Sequence, residues 1–563
     1  MLLNGMECYP RPQLVRSSFM SLDGEWEFAL ATQGEQPRYT RVIRVPYCME
    51  CPLSGIGERH RKGDILYYRR SFRPDGEKLG KDGRIILHCG ALDQRADLYV
   101  NGVLYGRELR FPQTEADITS LCRKEEENTL VLAVKDDGED VSYPYGKQKE
   151  KNGDMWYTPV SGIWGSVWLE NVTDEYIRFL DTELSAEEAT ITAVGCKRDG
   201  ELVLDTGERF PVRNGTVTVR PRKKHLWSPE DPYLYHYTLT LGEDSVRSYF
   251  ALRSFEIQNV NGVPRLCLNG RPYFINAVLS QGYFADGLWT PGDLNAYEKD
   301  ILFLKECGFN AVRKHIKTEP DRFYYDCDRL GLLVMQDSVN SGKYSFLRDT
   351  ALSTLGLKHW PERRLKKEDA RRKRFEEDLR FYVPRLSSHP CVCLWTVFNE
   401  GWGQFSAKEE YTLIKTLRPR MTVDTASGWF VTKHTDVLSE HVYFRPFRMK
   451  KRLSGEKPLL LTEFGGYALK VQGHCFRDDG KYGYRFFSDA ESFAVALTDL
   501  YEKQILPAAR NGLSGCVYTQ LSDVEDEVNG LLTYDRKVRK IAPERLRAVF
   551  ERIRVAADGA GER

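Results

Sequence analysis

Short apolar runs separated by turn residues characterise residues 1–173. The runs RIILHCGAL, ADLYVNGVLYG, NTLVLAVKD and GSVWLENV are apolar or alternate between apolar and polar positions, with Gly, Asn and Asp at their borders. Such a pattern is typical of β-strands. The pair Asn101-Gly102 between two such runs predicts a hairpin. Because no useful helical period occurs here, we predict an antiparallel jelly-roll sandwich over residues 1–173.

The same β character continues in a shorter unit over residues 174–257. ATITAVGCK, GTVTVRP and LYHYTLTLG alternate with turns at the spacing that a small sandwich requires. We therefore predict an immunoglobulin-like β-sandwich for this unit.

The pattern changes from residue 258 onward, where strand-like runs alternate with longer helical segments. LNAYEKDILFLKECG predicts an amphipathic helix that ends at a glycine. The charge-rich run ERRLKKEDARRKRFEEDLRFY lies in the oversized connection 341–390 and predicts a solvated helix face. Eight βα units predict a (β/α)8 barrel over residues 258–563. Its predicted strands are 271–279, 309–316, 331–337, 391–400, 421–427, 438–444, 458–466 and 515–523.

Composition and charge exclude several classes of function. The chain has 563 residues, with 81 acidic against 82 basic side chains, so nothing favours nucleic acid or an anionic membrane as a partner. No apolar run has the length of a membrane span, and the N-terminus has no signal-peptide pattern. The 13 cysteines are scattered, and Cys48 and Cys51 form a lone CxxC that is expected to be an inert packed pair. We expect a cytoplasmic protein with reduced thiols.

Two predicted barrel strands end in a glutamate beside glycine and aromatic residues. Glu400 ends the fourth strand in TVFNEGW, and Glu463 ends the seventh in LLLTEFGG. The carboxyl ends of barrel strands carry the active site, and the fourth and seventh strands face each other across its mouth. Paired carboxyl groups about 5–5.5 Å apart suit retaining glycoside hydrolysis. A surface rim charge is the alternative for either glutamate alone.

Other polar and aromatic residues near the strand ends are candidates for the same pocket. Tyr443 is expected to bond Glu463, or else to pack in the core. Asn399 is a candidate donor to a sugar hydroxyl, and Trp402 and Trp429 are candidate platforms for sugar rings or packing residues. His315 and His441 lie at strand ends, where a structural role is as plausible as contact with substrate. No cluster has metal-ligand spacing and no nucleotide motif occurs, so we predict neither metal nor cofactor.

At this point the sequence resembles glycoside hydrolase family 2, the family of β-galactosidases, β-glucuronidases and β-mannosidases, in a short form that ends after the barrel. PRPQLVRSSFMSLDGEWEF, SGIWGSVWLE, LWSPEDPYLY and GFNAVRKH are similar to successive parts of that family. FNEGW carries the family's Asn-Glu pair, which implies that Glu400 is the acid/base. LLLTEFGG resembles the nucleophile strand, which implies that Glu463 attacks the sugar, with Tyr443 beside it.

Departures from the family pattern bear on the substrate. The β-glucuronidases carry an Asn-x-Lys pair where this chain has Glu527, Val528 and Asn529, which argues against a glucuronide. The histidine loop that ligates metal in large β-galactosidases has no match, and Tyr518 stands where tryptophan is frequent.

The predicted function is therefore that of a retaining exo-β-glycosidase, β-galactosidase-like, acting on a carbohydrate substrate. The alternatives are another glycone (α-L-arabinofuranoside, β-mannoside or uronide) and a catalytically silent carbohydrate-binding relative. By analogy with other enzymes built from several sandwiches, a homo-oligomer is also expected.

Overall fold

The computed structural model describes residues 9–79, 82–345, 365–449 and 455–558, the positions 347, 349 and 453, and the backbone of two short N-terminal strands. Within these residues, no helix has both the length and the apolar character needed to cross a membrane.

The N-terminal part of the chain is an antiparallel sandwich. A six-stranded sheet has the order β10-β9-β12-β6-β4-β5, and a four-stranded sheet has the order β11-β7-β14-β3. Trp26, Tyr68 and Leu132 from the first sheet share one core with Leu87 and Leu169 from the second. The strands are β1 (Leu2–Leu3), β2 (Met6–Glu7), β3 (Phe19–Ser21), β4 (Gly24–Thr32), β5 (Arg41–Val45), β6 (Asp64–Phe72), β7 (Arg84–Cys89), β8 (Leu92–Asp93), β9 (Arg95–Val100), β10 (Val103–Leu109), β11 (Ala116–Asp117), β12 (Asn128–Lys135), β13 (Gly162–Ile163) and β14 (Val167–Val172), with one short helix, α1 (Gly76–Leu79).

The predicted Asn101-Gly102 hairpin is present between β9 and β10. Both residues have positive φ, at 51° and 77°, which is the backbone that a tight hairpin turn requires.

A second, smaller sandwich follows. Its three-stranded sheet has the order β15-β16-β19 and its four-stranded sheet the order β18-β17-β20-β21. Buried and exposed side chains alternate along Tyr235–Leu241, as expected for a strand with one face in the core. The strands are β15 (Phe179–Leu184), β16 (Ala189–Val194), β17 (Gly200–Leu204), β18 (Arg209–Val212), β19 (Thr216–Val219), β20 (Tyr235–Leu241) and β21 (Asp244–Phe250). The predicted domain boundaries after residues 173 and 257 stay predictions.

The C-terminal part is a parallel eight-stranded barrel surrounded by helices. All eight predicted strands are present, and their side chains are almost continuously buried, as in parallel sheets covered on both faces. The barrel strands are β25 (Ile275–Ser280), β26 (Ala311–Lys314), β27 (Leu333–Asp337), β28 (Val392–Asn399), β29 (Thr422–Ser427), β30 (Leu438–Val442), β31 (Leu459–Gly465) and β34 (Leu513–Thr519).

Short strands lie before the barrel and within it. A three-stranded sheet precedes it, formed by β22 (Phe255–Val260), β23 (Val263–Leu268) and β24 (Arg271–Pro272), and β32 (Tyr467–Leu469) pairs with β33 (Arg485–Phe487) after the seventh barrel strand. Hydrogen bonds run through the barrel in the order β29-β28-β27-β26-β25-β34-β31-β30. Ser439 links the two remaining edges, since its hydroxyl donates to Asp424 at 3.1 Å. The predicted fold class is thereby confirmed.

The barrel helices are α2 (Ala296–Cys307), α3 (Asp321–Leu330), α4 (Ala370–Ser387), α5 (Ala407–Leu417), α6 (Ala490–Leu500), α7 (Leu506–Arg510) and α8 (Pro543–Asp558). Helix α2 ends at Gly308, as its sequence predicts. The charge-rich run is helical from residue 370, but its Phe375 and Leu379 lie on a buried face of the helix, so only part of the run is solvated. Residues 351–364 of the same connection lie outside the described residues.

Candidate active site

Both predicted glutamates line one cavity at the carboxyl ends of the barrel strands. Glu400 follows β28 directly, and Glu463 lies near the end of β31. One carboxylate oxygen of each lies within 4.8 Å of the other. This separation suits the roughly 5–5.5 Å of retaining glycosidases better than the roughly 6.5–9.5 Å of inverting ones. The other lining residues are Lys147, Met155, Trp156, Leu279, Gln281, His315, Ile316, Tyr344, Asp349, Asn399, Trp402, Tyr443, Tyr484, Thr519 and Glu527.

The turn after β28 explains the sequence Asn-Glu-Gly-Trp. Glu400 has φ of 54°, an uncommon conformation for a residue other than glycine and one that occurs at functional sites. Gly401 follows with φ of 69°, and a Cβ there would lie 2.1 Å from the ring of Phe430. The chain must therefore turn sharply at Gly401, and Glu400 is left at the mouth of the barrel with its side chain 22% exposed.

Glu463 lies in an environment that stabilises its ionised form. Arg313 donates to one carboxylate oxygen at 3.1 Å, and the Tyr443 hydroxyl donates to the other at 2.6 Å. Burial alone would raise the pKa of Glu463. The nearby His441 ring, the charge of Arg313 and the Tyr443 hydrogen bond outweigh it and hold the pKa of Glu463 below its usual range. Glu463 is therefore a carboxylate at neutral pH.

Glu400 has the opposite electrostatic environment. A hydrogen bond joins its Oε1 to His441 Nδ1 at 2.8 Å. Burial raises the pKa of Glu400, and the negative charge of Glu463 raises it further. One carboxyl group therefore favours the protonated state while its neighbour stays ionised, which is the division needed between an acid and a nucleophile.

Arg313 donates hydrogen bonds to residues at the ends of both β28 and β31. It is fully buried and donates twice to Asp337, at 3.0 Å each, as well as to Glu463 and, at 2.8 Å, to the Asn399 side-chain oxygen. His315 Nδ1 lies 3.0 Å from the same aspartate. Burial lowers the pKa of His315 to about 4, so this ring is neutral at neutral pH. The network fixes the orientation of both Asn399 and Glu463.

The structure brings six of the nine predicted site residues to the cavity wall. These are His315, Asn399, Glu400, Trp402, Tyr443 and Glu463. A seventh, His441, lies beneath the two carboxylates, with Nδ1 at 2.8 Å from Glu400 and 3.5 Å from Glu463.

The other two predicted residues do not line the cavity. Trp429 packs behind His441, with ring centroids 5.5 Å apart. Tyr518 is fully buried and packs against Phe464 and Tyr501. Side chains alternate along a strand, so Thr519 faces the cavity and Tyr518 faces the outer helical layer.

Several residues in the cavity wall or beneath it were not predicted from the sequence. Arg313 had a signal, because an arginine inside an apolar strand requires an acidic partner. No sequence pattern indicates Trp156 or Lys147, because they belong to a loop of the first sandwich that only the packing of the domains brings to the barrel. Trp156 forms an aromatic wall with Trp402 and Tyr344, at centroid distances of 5.3 and 5.2 Å.

Within the described part of the chain, one cluster of side chains could hold a metal ion. Ligand atoms of Glu400, His441 and Glu463 lie within 4.8 Å of one another, a spacing that the sequence does not reveal. The prediction that no metal takes part stays a prediction, and activity after treatment with a chelator tests it.

A larger cavity of about 670 Å³ lies where the sandwiches meet the barrel, lined by residues such as Trp164, Trp289 and Arg110. It contains neither Glu400 nor Glu463, so it is separate from the strand-end site.

Comparison with known proteins gives two matching family models. The model described as "Glycosyl hydrolases family 2, TIM barrel domain" matches residues 266–554, and "Glycosyl hydrolases family 2" matches residues 178–253.

Among curated proteins, a β-galactosidase of Aeromonas hydrophila is 28% identical, covering 82% of this chain and 47% of its own length. A β-galactosidase of Pseudoalteromonas haloplanktis is 24% identical, covering 95% and 54%. The chain thus spans about half the length of these curated relatives.

Among solved structures, a β-D-glucuronidase for Dictyoglomus thermophilum superposes with a TM-score of 0.72 at 19% identity, covering 96% of this chain and 98% of that one. A β-galacturonidase from Eisenbergiella tayi, bound to galacturonate, gives 0.67 at 18%, covering 96% and 99%. At these identities the likeness establishes a shared fold.

Proposed function

The chain belongs to glycosyl hydrolase family 2, a family of retaining O-glycosyl hydrolases, and from this premise we propose that it removes a terminal sugar from a glycoside by double displacement. The observation that carries the proposal is the pair of opposed environments at Glu463 and Glu400. Arg313 and Tyr443 stabilise the ionised form of the first, while burial and the charge of the first favour the protonated form of the second.

In the first step the Glu463 carboxylate attacks the anomeric carbon. The bond from that carbon to the leaving oxygen breaks, and Glu400 gives its proton to this oxygen, so the aglycone departs as an alcohol. The product is a sugar bound as an ester to Glu463. Asn399, held by Arg313, is placed to donate to a sugar hydroxyl as charge develops.

In the second step Glu400, now ionised, accepts a proton from water while the water oxygen attacks the anomeric carbon. The ester bond breaks, Glu463 regains its negative charge, and Glu400 is again protonated. Two inversions at the same carbon give net retention of configuration.

The shape and charge of the cavity support a single neutral sugar at its base. Trp156, Tyr344 and Met155 close the cavity on the side of the first sandwich, which favours exo cleavage of a terminal residue. The carboxylate of Glu527 lines the same cavity, and it disfavours a sugar that carries its own negative charge. Together with the curated β-galactosidase relatives, this supports a β-galactosidase-like activity.

A uronide is the second candidate, and Lys147 is the observation that favours it. This lysine lines the cavity, and an ammonium group is a suitable partner for a sugar carboxylate. β-Mannoside and α-L-arabinofuranoside remain alternatives without a specific observation in their favour.

The test is hydrolysis of aryl glycosides by the purified protein, with Glu463→Ala as the control. The panel contains the β-galactoside, β-mannoside, β-glucuronide, β-galacturonide, β-glucosaminide and α-L-arabinofuranoside. We expect cleavage of one member, loss of that cleavage in the variant, and an initial product with the configuration of the substrate. Full activity in Glu463→Ala would contradict the proposal. Tight sugar binding without turnover by the unmodified protein would indicate a silent carbohydrate-binding relative.

A further inference from the structure

Glu527 places a carboxyl group in the cavity wall from the loop after the last barrel strand. The residue is 4% exposed, and both of its carboxylate oxygens accept hydrogen bonds. Tyr157 donates to Oε1 at 3.0 Å and Gln520 donates to Oε2 at 2.7 Å. A carboxylate has about four acceptor sites, so two donors leave capacity for hydroxyl groups of a ligand.

Lys147 contributes a positive charge to the same cavity from the first sandwich. Its Nζ lies 3.9 Å from Glu527 Oε1 and 5.2 Å from the centre of the Tyr157 ring. Burial raises the pKa of Glu527, and the charge of the Lys147 ammonium group acts against this rise by favouring the ionised carboxylate.

The loop that carries Lys147 is fixed against the barrel. Gly146 donates its backbone N–H to Asn340 at 2.9 Å, and the Tyr157 N–H donates to the Lys147 carbonyl at the same distance. Gly146 has φ of 67°, and a Cβ there would approach the Ile316 carbonyl oxygen to 3.0 Å. The position of the ammonium group is therefore set by the packing of the two domains.

The guanidinium of Arg313, buried beneath the site, is already neutralised by carboxylates. Arg313 is paired with Asp337 and Glu463, so it offers no excess positive charge to a ligand. Whether the cavity favours a neutral or an anionic sugar then depends on the balance between Lys147 and Glu527, since like charges repel and unlike charges attract most strongly where water is excluded.

We propose that Lys147 and Glu527 act together as the charge selector of the sugar site. The pair offers ammonium donors and carboxylate acceptors to the hydroxyls of a neutral sugar. Glu527 also cancels the charge with which Lys147 would otherwise bind the carboxylate of a uronic acid. This inference rests on the proposed glycosidase function and adds the class of sugar that the site selects.

The experiment compares two substrates that differ only at C6, an aryl β-galactoside and the matching aryl β-galacturonide. Glu527→Gln removes the negative charge, and we expect the galacturonide-to-galactoside ratio of kcat/KM to rise about tenfold or more. Lys147→Met removes the positive charge, and we expect the ratio to fall by a similar factor. The double variant restores neutrality, and its ratio is expected near that of the unmodified protein.

Matched controls come from the same two loops. Glu525→Gln changes a carboxylate that bonds Thr158 and Asn152 and does not line the cavity. Lys149→Met changes a lysine that lies over the Trp156 ring at 4.2 Å. Neither control should shift the ratio, whatever it does to overall activity. Equal shifts in the controls, or shifts of the same sign in Glu527→Gln and Lys147→Met, would overturn the proposal.

Calorimetry separates failure of this inference from failure of the proposed function. If neither substrate is cleaved, the glycosidase proposal fails for these sugars, and binding of galactose and galacturonate to the same variants is measured instead. The same opposite shifts in the ratio of the two affinities support the charge selector without any turnover. An unchanged ratio of affinities contradicts it.

Discussion

The ends of the fourth and seventh barrel strands place the same residue type in contrasting environments. At the end of β31, Glu463 accepts hydrogen bonds from a buried arginine and a tyrosine. At the end of β28, Glu400 is hydrogen-bonded to His441 and lies beside the charge of Glu463. The difference teaches that strand position brings two carboxyl groups together, while the surrounding donors decide which one stays ionised.

Replacing Glu463 should remove the ionised carboxylate, and with it both the difference between the two strand ends and the activity. Glu463→Gln keeps the size of the side chain but cannot form the ester, so we expect kcat to fall by about 10⁴-fold or more for every substrate. Steady-state kinetics measures this, and circular dichroism verifies the fold. Activity above about a tenth of the original, with any leaving group, would contradict the assignment.

Loss of Glu400 should depend on the substrate. Glu400→Gln cannot protonate the leaving oxygen, so we expect a decrease of about 10²–10⁴-fold for a glycoside with a poorly acidic aglycone. The dinitrophenolate group of a dinitrophenyl glycoside leaves without protonation. The first step with that substrate should therefore be much less affected. The raised pKa of Glu400 gives the basic limb of the pH profile, and this limb should disappear in the variant. Equal losses for both leaving groups would contradict the role of acid.

Tyr443→Phe should reduce the difference in pKa between Glu463 and Glu400 without removing it. The hydroxyl bonded to Glu463 lowers the pKa of that carboxyl, so its removal raises the pKa. Because Glu463 acts when ionised, the acidic limb of kcat/KM should move to higher pH, with a loss of about tenfold at the optimum. Tyr484→Phe is the matched control, since this ring stacks on Tyr443 with the ring centroids 3.9 Å apart, whereas the hydroxyl that donates to Glu463 is that of Tyr443. An acidic limb that moves in both variants, or in neither, would contradict the prediction.

Tyr518→Phe should have the smallest effect. Tyr518 points to the helical layer and does not line the cavity, so we expect kcat/KM to change by less than about twofold on the panel substrates. Thr519→Val is the informative neighbour, because its hydroxyl lies 2.8 Å from that of Tyr443. A large loss in Tyr518→Phe with an unaltered fold would place this residue in the site after all.

Much of the fold could be predicted because its signals are local. Apolar runs between turn residues located all eight barrel strands, and an apolar helical period ending in glycine located α2. The ends of two such runs also located Glu400 and Glu463. Predicting that Tyr518 faces the helices requires knowing which residues near the strand end point into the barrel. The run VYT is apolar or weakly polar throughout and does not show this.

The sequence alone determined the order of the strands and hence the two carboxyl groups at the mouth of the barrel, because strand order fixes which ends lie across from each other. Only the tertiary structure decided their chemical difference. Arg313 and His441 contact them from other strands of the barrel, and Lys147 lines the same cavity from the first sandwich. These contacts join residues far apart in the chain, and a charge acts through distance in space, which local sequence patterns do not encode.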